Sequence, residues 1–185
     1  MRGLVIALFI AVTATWAPAR AQTSSGSQAS DVSNLQATLQ ASAPKAPMDR
    51  VMIVPKSQID EILTRALDPK APVVRLFDGG TFSVNVIHRK PGEGEGALLH
   101  KYTSEVYVVR SGGGTLVTGG KLAQPVNAKD PDMQGSKSIV GGTSREVHAG
   151  DVVFIPAGLP HHFTSYSPDI VYINVRFQDP KYVGN

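Results

Sequence analysis

His100, Glu105 and His161 are the candidates for a working site in this chain of 185 residues. They lie in two glycine-marked segments. The first runs Gly92-Glu-Gly-Glu-Gly-Ala-Leu98-Leu-His100-Lys-Tyr-Thr-Ser-Glu105, with Gly112 after a further six residues. The second runs Gly150-Asp-Val-Val-Phe-Ile-Pro156-Ala-Gly158-Leu-Pro-His161. On a strand, residues two apart face the same side, which pairs Leu98 with His100 and sets His161, Phe163 and Ser165 on one face. Tyr102 shares the parity of His100, so it either reaches the site or packs in the core. The turn Pro156 to Pro160 aims His161 sharply, whereas His162 points the other way. His100 as a core histidine bonded to a carbonyl, and Glu105 paired with Lys101, are the plainer alternatives. His88 and His148 have no motif around them and read as structural.

Several other chemistries have no anchor. There is no cysteine, which excludes thiol catalysis and thiolate metal sites. No Gly-x-Ser-x-Gly elbow supports a hydrolase triad. Gly92-x-Gly94-x-Gly96 has no helix after it, so a phosphate-binding loop lacks its mechanism.

The elements that must position these residues are mostly strands. Val51-Met52-Ile53-Val54 suits a strand that Pro55 ends. Ser57 reads as a helix N-cap with Asp60 as its partner, and Ile59, Ile62, Leu63, Ala66 and Leu67 follow helical spacing until Pro69. The spacing predicts one amphipathic helix on the outside of a sheet, its stripe serving core packing. Phe82, Val84 and Val86 alternate with polar neighbours. Glu105 to Val109 and Thr115 to Thr118 bracket a glycine turn at 112–114. Val152 to Ile155 and Ile170 to Ile173 read as strands buried on both faces. Short strands at this density suggest a β-sandwich or barrel. Gly119 to Ser144 has little periodicity, and is read as a loop over the barrel mouth or as plain disorder.

The N-terminus leads to the expectation of an exported protein. Arg2, the apolar run Leu4 to Val12 and Ala19-Arg20-Ala21 form a signal peptide with cleavage before Gln22. That run falls short of the about 20 residues needed to span a bilayer. Cleavage leaves 164 residues and lowers the basic count from 18 to 16 against 15 acidic residues, a net charge of +1. Nothing so balanced argues for nucleic acid or an anionic membrane surface. Residues 22–47 read as a flexible leader, and 48–185 as a single domain. Without disulfides, a lipoprotein cysteine or a glycosylation sequon, the bacterial periplasm or medium is the expected location.

Together the two segments resemble the two motifs of the cupin family. The first is a glycine, five residues, His-x-His, three or four residues, Glu, six residues and Gly. The second is a glycine, five residues, Pro-x-Gly, two residues, His, three residues and Asn. Gly92, His100, Glu105, Gly112, Gly150, Pro156, Gly158 and His161 fit, while Leu98 replaces the first histidine and Ser165 the final asparagine. The motifs span about 35 residues and the similar strand pattern roughly residues 50–178.

The resemblance implies an all-β, double-sheet jelly-roll barrel with one flanking N-terminal helix, and often a homodimer. It also implies a divalent metal held by His100, Glu105 and His161. A carboxylate facing an apolar interior is costly unless a cation or hydrogen-bond donors meet it. With Leu98 in place, the donor set is two imidazoles and one carboxylate, as in non-haem Fe(II) and His₂Glu zinc sites. The expected function is a metal-dependent enzyme of the oxygenase, isomerase, decarboxylase or lyase type, using Fe, Mn, Ni or Zn on a small molecule. Tyr102 or a residue of the 119–144 segment would donate a proton. The alternatives are a non-catalytic binder of a carbohydrate or organic acid with an incomplete metal site, and a structural barrel.

Overall fold

The computed structural model describes residues 43–65, 73–91 and 96–182. The expected signal peptide, most of the leader, Ala66, Leu67 and Gly92 lie outside the described residues. In chain order the elements are α1 (Lys56–Arg65), β1 (Val73–Asp78), β2 (Phe82–Arg89), β3 (Ala97–His100) and β4 (Thr103–Thr118). The short strands β5 (Lys121–Leu122), β6 (Val126–Asn127), β7 (Met133–Ser136) and β8 (Ile139–Val140) follow. The chain continues through β9 (Thr143–His148), β10 (Val152–Ile155) and β11 (His161–Gln178) to a 3₁₀ turn at Pro180–Tyr182. This is an all-β arrangement with one α-helix among the described residues.

All strand pairings are antiparallel, and nine strands form one sheet through the two longest, β4 and β11. These two pair with each other from Thr103↔Gln178 to Thr118↔His161. At their two ends, however, they have different outer neighbours. The first half of β4 carries β10 and its second half β9, while the second half of β11 carries β2 and its start β3. The sheet therefore has two halves. One buried cluster joins them, with Ile87, Tyr107, Ile155 and Tyr172 from one half and Leu116, Val147 and Phe163 from the other.

The bend between the halves explains the glycines at 112–114. They do not make a turn, as their composition suggests, but lie inside the single strand β4. A Cβ on Gly114 would sit 2.3 Å from the Ser165 carbonyl oxygen. Gly112 has φ +67°, and its Cβ would meet the Asp169 carbonyl oxygen at 1.9 Å. Gly112→Ala thus combines a left-handed backbone with a backbone clash, and is expected to destabilise the protein by more than about 2 kcal/mol. Urea unfolding should show this as a lower midpoint, and a loss under about 0.5 kcal/mol would mean that the bend relaxes freely.

The helix packs where its stripe predicts. Ile59, with Ile62 and Leu63, lies against Leu76, Val86 and Ile173 on the outer face of the first half. Its start differs, because Ser57 is inside the helix and the Pro55 carbonyl accepts the first amides, from Gln58 at 3.0 Å and Ile59 at 3.3 Å. Asp60 pairs with Lys56 one turn away instead of capping. Val51 to Val54 forms no strand, and Val51 is 83% exposed, since a β-prone run needs a ladder partner to be a strand. β11 is buried along Ile170 to Tyr172, but β10 exposes Val152 and Phe154 on its outer face. Finally, 119–144 is neither an open loop nor structureless. β5 pairs with β8, and β6 and β7 extend the sheet from β3.

Candidate metal centre

The inner face of the sheet brings the three candidate residues together. Alternation along β4 turns Glu105 and Tyr107 inward, and β11 does the same for Tyr172, Asn174 and Arg176. His100 ends β3 and His161 begins β11. The turn between Pro156 and Pro160 fixes their relation: Gly158 N donates to the His100 carbonyl at 2.7 Å, and Ala157 N to Ser104 Oγ at 3.0 Å. Gly158 adopts φ +82°, a conformation that glycine takes at little cost.

One ligand atom from each of His100, Glu105 and His161 lies within 4.8 Å of the others, and all three side chains are buried. His161 Nε2 is 3.1 Å from Glu105 Oε2, and His100 Nε2 is 3.9 Å from Glu105 Oε1. The imidazoles stack with centroids 5.9 Å apart. Each ring is anchored at its other nitrogen, His100 Nδ1 to Asp132 Oδ2 at 3.2 Å and His161 Nδ1 to the Leu159 carbonyl at 3.2 Å. Both acceptors need a proton on Nδ1, so a neutral His100 keeps a free Nε2 lone pair, whereas His161 donates from Nε2 to Glu105 only when both its nitrogens carry protons, the second of which a bound ion would displace. His100 Nε2 is buried and has no hydrogen-bond partner among the described residues. A buried lone pair without a donor, beside a second imidazole and a carboxylate, fits a divalent cation.

The carboxylate is also held by the protein itself. Oε1 accepts from Arg176 Nε and Asn174 Nδ2, each at 2.8 Å, and Oε2 from the Tyr107 hydroxyl at 3.1 Å. Arg176, opposite Glu105 in the ladder, takes the role that the sequence suggested for Lys101. Burial alone would raise the Glu105 carboxyl, but the His161 hydrogen bond and the Arg176 charge outweigh it and hold the group well below the usual carboxylate range. Burial lowers His100, although Glu105 opposes this. Burial pushes the Tyr107 hydroxyl well above its ordinary value, with the Glu105 charge adding to the effect.

The other residues fall into place around this core. Tyr102 is outside the trio. Its amide donates to Asp132 Oδ1 at 2.6 Å, and its ring packs edge-on against Tyr182 beside a cavity that His100 also lines. Ser165 does not share the face of His161, because a bulge after Phe163 turns it out to Thr115. His88 pairs with Asp169 at 2.7 Å and His148 is exposed, both away from the site. Arg176, Asn174, Tyr107 and Asp132 were not anticipated. Parity with Glu105 and Tyr172 could have found the first three, whereas only the Asp130-Pro131-Asp132 turn hinted at Asp132.

No protein-family model and no curated protein matches this sequence. Solved structures resemble it loosely. A Bacillus halodurans protein has a TM-score of 0.46 at 17% identity, covering 74% of this chain and 87% of that one. An uncharacterized Klebsiella pneumoniae protein with a double-stranded beta-helix domain scores 0.40 at 15% identity, covering 58% and 76%. A predicted oxalate decarboxylase from Thermotoga maritima scores 0.40 at 16% identity, covering 58% and 79%. At this distance the fold assignment rests on the chain's own strand order and register: among the described residues, an antiparallel, double-sheet β arrangement with one α-helix and a buried group of two histidines and a glutamate that could hold a metal ion.

Proposed function

We propose that this chain is an exported, single-domain jelly-roll protein of the cupin type whose His100, Glu105 and His161 bind a divalent metal for chemistry on a small molecule. The observation that carries the reading is the pair of anchored imidazoles. Asp132 and the Leu159 carbonyl each hold an Nδ1, and both Nε2 atoms then face one buried carboxylate. Outer partners of this kind fix ligand orientation and raise basicity. A borderline N₂O donor set suits Fe, Mn, Ni or Zn, and three protein ligands leave positions open at which the ion supplies Lewis acidity.

The chain's own residues would do the remainder. Arg176 and Asn174 fix Oε1 of Glu105, which sets the carboxylate plane and leaves Oε2 toward His161. Asp132 lies within reach of His100 and the cavity, and is the proton-handling candidate of the 119–144 segment, with Tyr102 at the same cavity wall. Export is inferred from the N-terminal signal pattern.

The test is metal content. Untagged protein incubated with each candidate ion should retain one equivalent, measured by elemental analysis, and His100→Ala and His161→Ala should each abolish it. Asp132→Asn should keep the stoichiometry but weaken affinity by about 10–100-fold. Folded wild-type protein that takes up none of the four ions would falsify the metal reading. One observation favours a second reading, a metal-free binder of a small organic molecule. Arg176 places a cation 2.8 Å from Glu105, and so already neutralises the carboxylate.

A further inference from the structure

Arg176 does more than pair with Glu105. Only its Nε is engaged, and its terminal amines have no hydrogen-bond partner among the described residues. They are also not among the sealed, unsatisfied polar atoms, and the side chain is 25% exposed. Arg176 lines a cavity of about 310 Å³ at the end of the sheet, together with Arg75, His100, Tyr102, Thr103 and Gln178. That volume is at the lower end of small-molecule pockets, about 300–1,000 Å³, and suits a single-ring ligand.

Three carboxylates line the same cavity, but most of their oxygens are engaged. Asp78 accepts from Arg75 Nη1 at 2.8 Å and Gly80 N at 2.7 Å. Asp132 accepts from Tyr102 N and His100 Nδ1, and Asp130 uses one oxygen on Asp132 N. The charge of Glu105 is spread over four donors. What remains unengaged among the groups lining the cavity is therefore the guanidinium edge of Arg176, the second terminal amine of Arg75, one Asp130 oxygen and neutral polar side chains. Thr103 and Gln178 are directly opposed in the ladder, two residues from Glu105 and Arg176 on the same face, and their side chains make no hydrogen bond to a described residue. The Tyr102 ring, 45% exposed, supplies an apolar wall.

We infer that this cavity binds a small polyhydroxylated carboxylic acid of one sugar ring, a uronate, with its carboxylate on the Arg176 fork and its hydroxyls on Thr103, Gln178 and Asp130. A planar guanidinium edge matches a carboxylate with two parallel hydrogen bonds. The mixed donors and acceptors beside it match vicinal hydroxyls. The site adjoins the centre described above but needs no metal to form.

D-Glucuronate titrated calorimetrically into the full chain, once treated with chelator and once incubated with metal, tests the inference. Saturable binding is expected in both, tighter with metal, with D-glucose at least about tenfold weaker. Arg176→Gln should reduce glucuronate affinity to that of glucose. Gln178→Ala and Thr103→Val touch neither Glu105 nor the histidines, and should each weaken binding severalfold even where Arg176→Gln does not fold. Absence of saturable binding, equal affinity for glucose, or full affinity in Gln178→Ala and Thr103→Val overturns it. Glucuronate bound by protein that takes up no metal would remove the metal reading and leave this one standing. Metal bound without glucuronate would do the reverse.

Discussion

Glu105→Ala is expected to lower stability by about 3–5 kcal/mol in chelator-treated protein, the cost of breaking a buried ion pair by removing one partner. Glu105 is 0% exposed, and its two oxygens are the acceptors for Arg176, Asn174, Tyr107 and His161. Alanine cannot accept from any of them. The guanidinium loses its counter-charge, and the Tyr107 hydroxyl and Asn174 amide lose acceptors in a space sealed from water. For a domain of this size the transition should move down by roughly 10 °C or more. Glu105→Gln should cost less, because its carbonyl still accepts, though Arg176 stays unpaired. Chelation matters, since an ion bound only by the folded state would add its own stabilisation to wild type. Thermal or urea unfolding followed by circular dichroism reads the difference. A loss under about 1 kcal/mol would show that water or side-chain movement satisfies these groups.

The same network shows what a sequence reading can reach. His100, Glu105 and His161 were legible because they sit at fixed offsets from glycines and prolines that the bend and turn require, such as Gly112 and Gly158. The helix was legible because its apolar stripe is local, although its first residue was set by the Pro55 carbonyl instead of Ser57. Non-local pairing was not legible. Val51 to Val54 has strand composition but no partner, and Gly112 to Gly114 looks like a turn while continuing one strand. β5 to β8 are two to four residues long, too short for alternation to show, so Asp132 could not be brought to His100. Polar residues misled in another way. Ser83, Asn85 and Asn174 alternate with apolar neighbours, which in most sheets points polar groups to solvent, yet these three are buried. In the first half-sheet the helix covers the outer apolar residues and the interior takes the polar ones, Asn174 donating to Glu105 and Asn85 to the Asn174 carbonyl.

Acidification should expose that polar interior in two steps. Burial holds the folded-state pKa of His100 below its ordinary value of 6.5. The folded protein therefore refuses a proton that the unfolded chain accepts. For Glu105, burial would act the other way, but His161 and Arg176 prevail and its folded-state pKa lies below the ordinary 4.5. The sign is the same in both cases: the unfolded state binds more protons, so stability falls as pH falls. The contribution of His100 is complete above about pH 6.5 and declines below it, and that of Glu105 begins to decline below about pH 4.5. Each group gives a slope of at most about 1.4 kcal/mol per pH unit, so the acid limb of chelator-treated protein should steepen below pH 4.5. Tyr107 acts oppositely, because its raised pKa keeps it neutral while the unfolded chain ionises, and stability should fall again above about pH 10. Glu105→Gln should remove the steeper acid step and keep the first. Bound metal requires both imidazoles neutral, with Nε2 free of its proton, and the carboxylate ionised, so a saturating ion should displace the whole acid limb to lower pH. If urea midpoints from pH 3 to 8 are the same with and without every candidate ion, the three side chains form a structural network and not a metal centre.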